Sequence, residues 1–163
     1  MSLRKQIIDI LQQDAKISNK TLAAMLGVSV AEIVAEIKAL EETGVIRRYE
    51  AVVNTELLGD EAPAEALVEL KVLPQRDFGY NDIARRVYKF PEVKALYLMS
   101  GRYDLAVKVE APTMKAISQF VFEKLAVLEG ITSTETLFIM RKYKEDGEIF
   151  VEEEKEDRLV VTP

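Results

Sequence analysis

The sequence predicts an α+β chain: an N-terminal winged helix-turn-helix joined to a C-terminal ferredoxin-like domain of order βαββαβ. Three observations predict it. Apolar residues recur at helical spacing through residues 3–42, with one interruption at Gly27. From residue 64 the rhythm changes to strand-length apolar runs separated by two helical stretches. Between them lies NTELLGDEAP (54–63), a run of turn formers and acids that reads as a linker. The expected domains are therefore 1–53, a linker at 54–63, 64–144, and an acidic tail at 145–163.

Leu3, Ile7, Ile10 and Leu11 form the stripe of a first helix. Ser18 stands at an N-cap position, and Leu22, Ala23 and Leu26 carry a second helix. Gly27 ends it where a positive φ is needed. Ser29 caps a third helix with Val30, Ile33, Ile37 and Leu40 facing inward, and Thr43-Gly44 stops it. Residues 45–53, VIRRYEAVV, are rich in β formers and are expected to make the short ribbon of the wing. ALVELKV (66–72) reads as a strand. Asp77 is placed to cap a helix with Tyr80, Ile83, Ala84 and Val87 inward, ending at Phe90-Pro91. VKALYLM (93–99) and LAVKVEA (105–111) are strands joined tightly by SGRYD. Thr113 caps a helix with Ile117, Phe120, Val121, Leu125 and Leu128 inward. ITSTETLFIMRKY (131–143) is a last long strand, and EIFVEE and RLVV are the expected limbs of a hairpin in the tail.

Composition narrows the function. The chain is 48% hydrophobic and 31% charged, ordinary for a soluble globular protein. Its start, MSLRKQIIDILQQD, is not a signal peptide, and no segment is long enough to span a membrane. The absence of cysteine excludes disulfides and thiolate chemistry and fits a cytoplasmic location. The absence of histidine removes the commonest general base and zinc ligand. No phosphate loop, nucleophile motif or ligand cluster appears, so no enzyme, metal or cofactor is expected. Net charge is −6, yet residues 1–53 hold seven bases and seven acids. The acidity belongs to the second half.

LAAMLGVSVAEIVAEIKAL has helix-turn-helix spacing, with small Ala23 where two helices cross and Gly27 at the turn. In that geometry the third helix enters the major groove while neighbouring side chains grip phosphates. Expected phosphate contacts are Lys20, Thr21, Ser29, Arg47 and Arg48; expected base contacts are Ala31, Glu32, Ala35 and Glu36, with Lys38 the one base on this face. Alanine can touch a thymine methyl and glutamate can accept from cytosine N4. Glu32, Glu36, Glu41 and Glu42 on the same helix would repel phosphate. A helical bundle that only docks a protein partner would carry the same pattern.

LAAMLGVS, ALEETGVIRRYEAVVN (39–54) with Gly59 following, SGRYDLAVKVEA (100–111) and ITSTETLFIM (131–140) together resemble the Lrp/AsnC, or feast/famine, family of transcription regulators over about residues 3–143. The resemblance implies a double-stranded operator DNA partner and an effector domain that forms dimers and higher oligomers, including rings. It implies a small-molecule effector, usually an amino acid, near Ser100, Gly101, Tyr103 and Asp104 and near Thr134 and Thr136. Gly101 would let backbone approach the ligand, and Asp104 would accept from its ammonium. Thr134 and Thr136 share a strand face by period two. The plainer readings are a hairpin turn at 101–104 and threonines chosen as strand formers. Sirohaem decarboxylases share this architecture but lean on histidines, which this chain lacks. The family's recognition helix usually has two or three bases in its second half; here those positions read Glu36, Lys38 and Ala39. The rival is a metabolite-sensing oligomer whose winged helix docks a protein instead of DNA.

Overall fold

The computed structural model describes residues 1–74 and 79–151. The chain divides into two compact units, the first spanning Met1–Val52. Its helices are α1 (Leu3–Gln13), α2 (Asn19–Leu26) and α3 (Val30–Glu42). Each begins on a serine, Ser2, Ser18 or Ser29, whose hydroxyl accepts an otherwise orphaned backbone N–H. Ile7, Leu22, Ala23, Ile33 and Leu40 form the core, with Ile37 and Ile46 packed against it. Gly27 sits at φ 70 and its N–H returns to Ala23 O, which makes the sharp turn between α2 and α3.

Two expectations for this unit need correction. Val30 does not face inward; it is 45% exposed in the first turn of α3, and Ile33, Ile37 and Leu40 fill the core below. Residues 45–53 form no ribbon, because a ladder needs a second strand and no described residue supplies one. The segment is held instead by Ile46, whose N–H donates to Leu40 O at 3.0 Å.

The second unit starts at Val53. A 3₁₀ run, Thr55–Glu61, is capped by the Asn54 side chain. There follow β1 (Ala64–Val72), α4 (Tyr80–Val87), β2 (Val93–Leu98), β3 (Leu105–Ala111), α5 (Met114–Phe120) and β4 (Ile131–Phe138). The sheet order is β2-β3-β1-β4, antiparallel throughout. Ala66, Val68, Leu70 and Val72 of β1 pack with Ile83, Val87, Ile117, Phe120 and Leu125 in one core. Period-two alternation sends Glu65, Leu67, Glu69 and Lys71 to the other, open face.

The expected cap Asp77 lies outside the described residues. Gly79 occupies the N-cap of α4, and Asp82 accepts its N–H at 3.1 Å. α5 runs into a single wide turn of π type at Val121–Leu125. β4 stops at Phe138, five residues short of the expected end; one more bond, Ile139 N to Glu65 O at 2.9 Å, follows before the chain leaves the ladder. The chain turns instead at Asp146-Gly147, both at positive φ, joining β5 (Lys144–Glu145) to β6 (Glu148–Ile149). This hairpin lies earlier than the expected one, whose RLVV limb is outside the described residues. No described helix is long and apolar enough to cross a membrane.

Gly130 feeds β4 into the sheet at φ 91, and a Cβ there would sit 2.7 Å from Ile83 Cδ1. Gly130→Ala should therefore lower unfolding free energy by about 2 kcal/mol through strain and overpacking, measured by urea denaturation.

Candidate nucleic-acid interface and effector cleft

The first group of candidate residues lies on α2, α3 and the segment after Gly44. Lys20, Thr21, Ser29, Ala31, Glu32, Ala35, Lys38, Arg47 and Arg48 are all exposed, and Glu36 is half-buried. At 100° per residue, Val30, Ala31, Val34, Ala35 and Lys38 share the solvent face of α3, while Glu32 and Glu36 lie to one side.

The acids of α3 are each engaged within the unit. Glu32 Oε2 accepts from Ser29 N at 2.9 Å and from Ser29 Oγ at 2.7 Å, and Ser29 Oγ accepts from Glu32 N, a complete capping box. Those bonds hold the Glu32 carboxyl below its usual pKa. Glu36 Oε2 receives Arg4 Nε of α1 at 2.6 Å. Glu41 accepts the Tyr49 hydroxyl at 2.9 Å, and Glu42 lies 3.7 Å from Lys38. Arg48 is held by Glu50 at 2.5 Å. Among the described residues, Lys20 and Arg47 have no acidic partner. Arg4 was missed from sequence because its partner is 32 residues away.

The second group lies at the β2–β3 connection. Met99 N donates to Asp104 O at 2.8 Å, closing the loop Ser100–Tyr103. Asp104 then terminates the β1–β3 ladder. Its N–H donates to Leu70 O at 3.0 Å, and its carboxylate accepts from Val72 N at 2.8 Å where a strand carbonyl would otherwise stand. Lys71 Nζ adds an ion pair at 3.1 Å and also donates to Arg102 O. The Val72 amide first, then Lys71 and the Tyr80 hydroxyl, pull the Asp104 pKa below the usual carboxylate value. This carboxylate is occupied by its own chain.

Beside the loop is an open cleft of about 340 Å³, lined by Glu69, Met99, Ser100, Gly101, Arg102, Tyr103, Leu105 and Glu135. Glu69 and Glu135 are direct cross-strand partners, which puts their Cβ atoms about 5 Å apart. The Tyr103 hydroxyl is hydrogen-bonded to Glu135, which raises the phenol pKa. The Arg102 guanidinium lies 5.7 Å from the centre of the Tyr103 ring. A Cβ on Gly101 would meet no atom within 4 Å, so nothing in the chain itself requires glycine there.

Thr134 and Thr136 do share a face, but they pair with Leu70 and Val68, whose side chains face the helices. They are thus on the opposite side of the sheet from Glu69 and Glu135. Glu69, Arg102 and Glu135 were not singled out from sequence; the alternation that marked the threonines also places Glu135 on the other face. A second cleft of about 380 Å³ lies between α4 and β2, lined largely by Tyr80, Tyr88, Leu96, Leu98 and other apolar groups. It contains none of the expected residues, and Lys94 there is paired with Glu110 at 3.6 Å.

Comparison with known proteins places both units. Residues 65–149 match the profile of the Lrp/AsnC ligand binding domain, and residues 2–47 match a winged helix-turn-helix DNA-binding profile. The "Uncharacterized HTH-type transcriptional regulator YugG" of Bacillus subtilis is 37% identical over 158 residues, covering 97% of this chain and 95% of that protein. A crystal structure of an AsnC family transcriptional regulator from Agrobacterium tumefaciens superposes with TM-score 0.72 at 28% identity, covering 91% of this chain and 96% of the other. A transcriptional regulator from Neisseria meningitidis in complex with L-Met shares the fold, with TM-score 0.71 at 23% identity over 89% of this chain and 92% of that one. With two matched domains in the same order and a relative of this identity along nearly its whole length, the chain belongs to the Lrp/AsnC family of transcriptional regulators, proteins that are not enzymes.

Proposed function

We propose that this regulator binds operator DNA through its first unit, and that its second unit self-associates and senses an amino acid in the cleft beside Ser100–Tyr103. The observation that carries the DNA reading is the pairing of two α3 acids with bases of the same unit. Glu36 is matched by Arg4 and Glu42 by Lys38, while Lys20 and Arg47, without acidic partners, stand against the charges of Glu32 and Glu41, so the local field is far from the net −6. Lys20, Thr21 and Arg47 are the phosphate-facing set; Ser29 gives its amide and hydroxyl protons to Glu32, and Arg48 is paired with Glu50. Ala31 and Ala35, with Val34 between them, offer apolar contacts to thymine methyls, and Lys38 on the same face is shared with Glu42. The 45% exposure of Val30 and of Val34 also suits the rival reading, docking of a protein on α3.

For the effector, the cleft offers charges of both signs, as a zwitterion requires. Arg102 suits the carboxylate, Glu69 and Glu135 suit the ammonium, and the open space at Gly101 gives the ligand close access to backbone. Asp104 acts as the staple that holds the loop; Thr134 and Thr136 stiffen the strand behind it. The methionine complex of the Neisseria meningitidis neighbour supports an amino acid as the ligand class. Half-buried Leu67 and exposed Leu137 and Tyr97 on the open sheet face give a second copy an apolar surface to cover. A cytoplasmic location accords with this role.

Selection from a random DNA pool with purified protein tests the reading. Enrichment of one sequence supports operator binding, and no enrichment favours protein docking. On an enriched duplex, Arg47→Ala should weaken binding to all sequences alike and reduce the log–log salt slope by about one, measured by fluorescence anisotropy. Arg4→Ala should also weaken binding, by exposing Glu36. A thermal-shift screen of the amino acids should yield a hit that is lost in Arg102→Ala. Asp104→Asn should destabilise the protein most above about pH 4, where the wild-type carboxylate is ionised in both states. Because the folded pKa is depressed, that difference should vanish as pH falls through it, which pH-dependent thermal melting would show.

A further inference from the structure

The cleft between α4 and β2 is bordered by a free edge of the sheet. β2 pairs with β3 on one side, and no described strand lies on its other side. Glu110 N donates to Glu92 O, and Met99 N donates to Asp104 O. Antiparallel alternation between these bonds turns the main chain of Ala95 and Tyr97 toward β3 and points the N–H and C=O of Leu96 and Leu98 outward. Among the described residues, no strand or side chain takes up those four groups. Sheets commonly blunt a free edge with charge, proline or a bulge. Here the bulge lies at Lys94, between Val93 and Ala95, and the run from Ala95 to Met99 beyond it has no charge and no proline. Tyr97, Leu98 and Met99 are all exposed.

The helix supplies the opposite wall. Tyr80, Asn81 and Ala84 of α4 and its C-cap Tyr88 line the cleft from one helical face, while Ile83 and Val87 turn into the core. Tyr80 to Tyr88 covers about 12 Å along the helix axis. Lys94 to Leu98 covers about 13 Å of strand, so the two walls match in length. Small Ala84 between the two tyrosines leaves the middle of the cleft open. Its volume, about 380 Å³, is within the roughly 300–1,000 Å³ of ligand clefts. Among the described residues lining it, Lys94 alone is charged. The pair that Lys94 makes with Glu110, at 3.6 Å between partly exposed side chains, is of the kind that contributes little and exchanges readily.

We propose that this cleft binds an extended segment of a partner protein by strand addition: the segment pairs with the outward groups of Leu96 and Leu98, lays alternate apolar side chains between Tyr80 and Tyr88, and presents a carboxylate to Lys94. An extended chain is the ligand that satisfies a row of strand donors and acceptors, and flanking pockets then read its alternate side chains. Every second side chain of the added strand faces the helix. The recognised pattern is therefore apolar-x-apolar with an acid beside it. A second copy's β2 is a poorer occupant, because VKALYL has no carboxylate to meet Lys94. The site is distinct from the effector cleft beside Ser100–Tyr103, with which it shares only Leu105. It lies wholly in the second unit and stands whether or not the first unit binds DNA.

The experiment pans the full chain against a library of short random peptides and measures the enriched peptides by fluorescence anisotropy. The enriched set should carry two apolar residues at alternate positions with Asp or Glu beside them. Lys94→Glu should weaken these peptides by about threefold, the scale of an exposed charge pair. Leu98→Pro removes an outward N–H and leaves the bonds to β3 in place. It should weaken them by at least about tenfold, and Leu98→Ala, which keeps the N–H, by less. Amide exchange with peptide bound should slow at Leu96 and Leu98 and stay unchanged at Tyr97. Lys94→Glu leaves the ladder alone and carries the test if the proline variant does not fold. An empty enrichment, bound peptides that protect neither Leu96 nor Leu98, or equal affinity of wild type and Lys94→Glu would each overturn the proposal. A drop in oligomer mass on Leu98→Pro would overturn it in favour of a second copy on this edge.

Discussion

A single carboxylate completes what the backbone of the second unit leaves unfinished. β1 continues past the last residue of β3 that can pair with it, and the Val72 amide would be left without an acceptor. Asp104 supplies one from its side chain while its own amide stays in the ladder at Leu70 O. A buried or half-buried N–H without a partner costs on the order of 1–3 kcal/mol, so the arrangement is strongly preferred over its loss. The loop Ser100–Tyr103 has nowhere else to go once both of its ends are fixed by Met99 and Asp104. The cleft beside that loop is the geometric consequence.

The same economy of satisfying polar groups from within explains the first unit. An anionic protein with four glutamates on its third helix looks unsuited to a polyanion. Three of those carboxylates meet Ser29, Arg4 and Lys38 and the fourth meets the Tyr49 hydroxyl. Exposed pairs of this kind contribute little stability, typically under about 1 kcal/mol. For Glu36 and Glu42 their importance is electrostatic, because a charge with its counter-charge a few ångströms away has little reach beyond about 10 Å; the hydroxyls that meet Glu32 and Glu41 orient those carboxylates without cancelling their charge.

Local patterning was legible where one element alone decides the outcome. The helical stripes of α1 and α2, the serine caps, Gly27 and the order βαββαβ could be read because period and cap chemistry are local properties. What depends on a second element could not. The wing ribbon was expected from β formers at 45–53, yet propensity without a partner strand makes no ladder. The length of β4 was overestimated because the run of strand formers continues to Tyr143, past the last bond of the ladder at Ile139 N to Glu65 O. For the cleft, the family resemblance pointed to the Ser100–Asp104 loop and to Thr134 and Thr136, and the threonines lie on the opposite face of the sheet from the cleft. Only the register Glu69↔Glu135 and Leu70↔Thr134 shows which set of alternate side chains is on which side. Asp104 was expected to accept from a ligand ammonium; in the structure its donors are a backbone amide and Lys71 of the same chain.

The capping box at the head of α3 has a consequence for how this scaffold can diversify. Ser29 and Glu32 fix where the helix begins and which way it rolls, and neither they nor the core residues Ile33 and Leu40 lie among the outward alanines and valines. Orientation and outward chemistry are therefore encoded by separate positions. Ala31, Val34 and Ala35 are exposed and outside both the cap and the core, so a change of side chain there meets no buried neighbour. What the helix presents can thus vary without disturbing how it is seated.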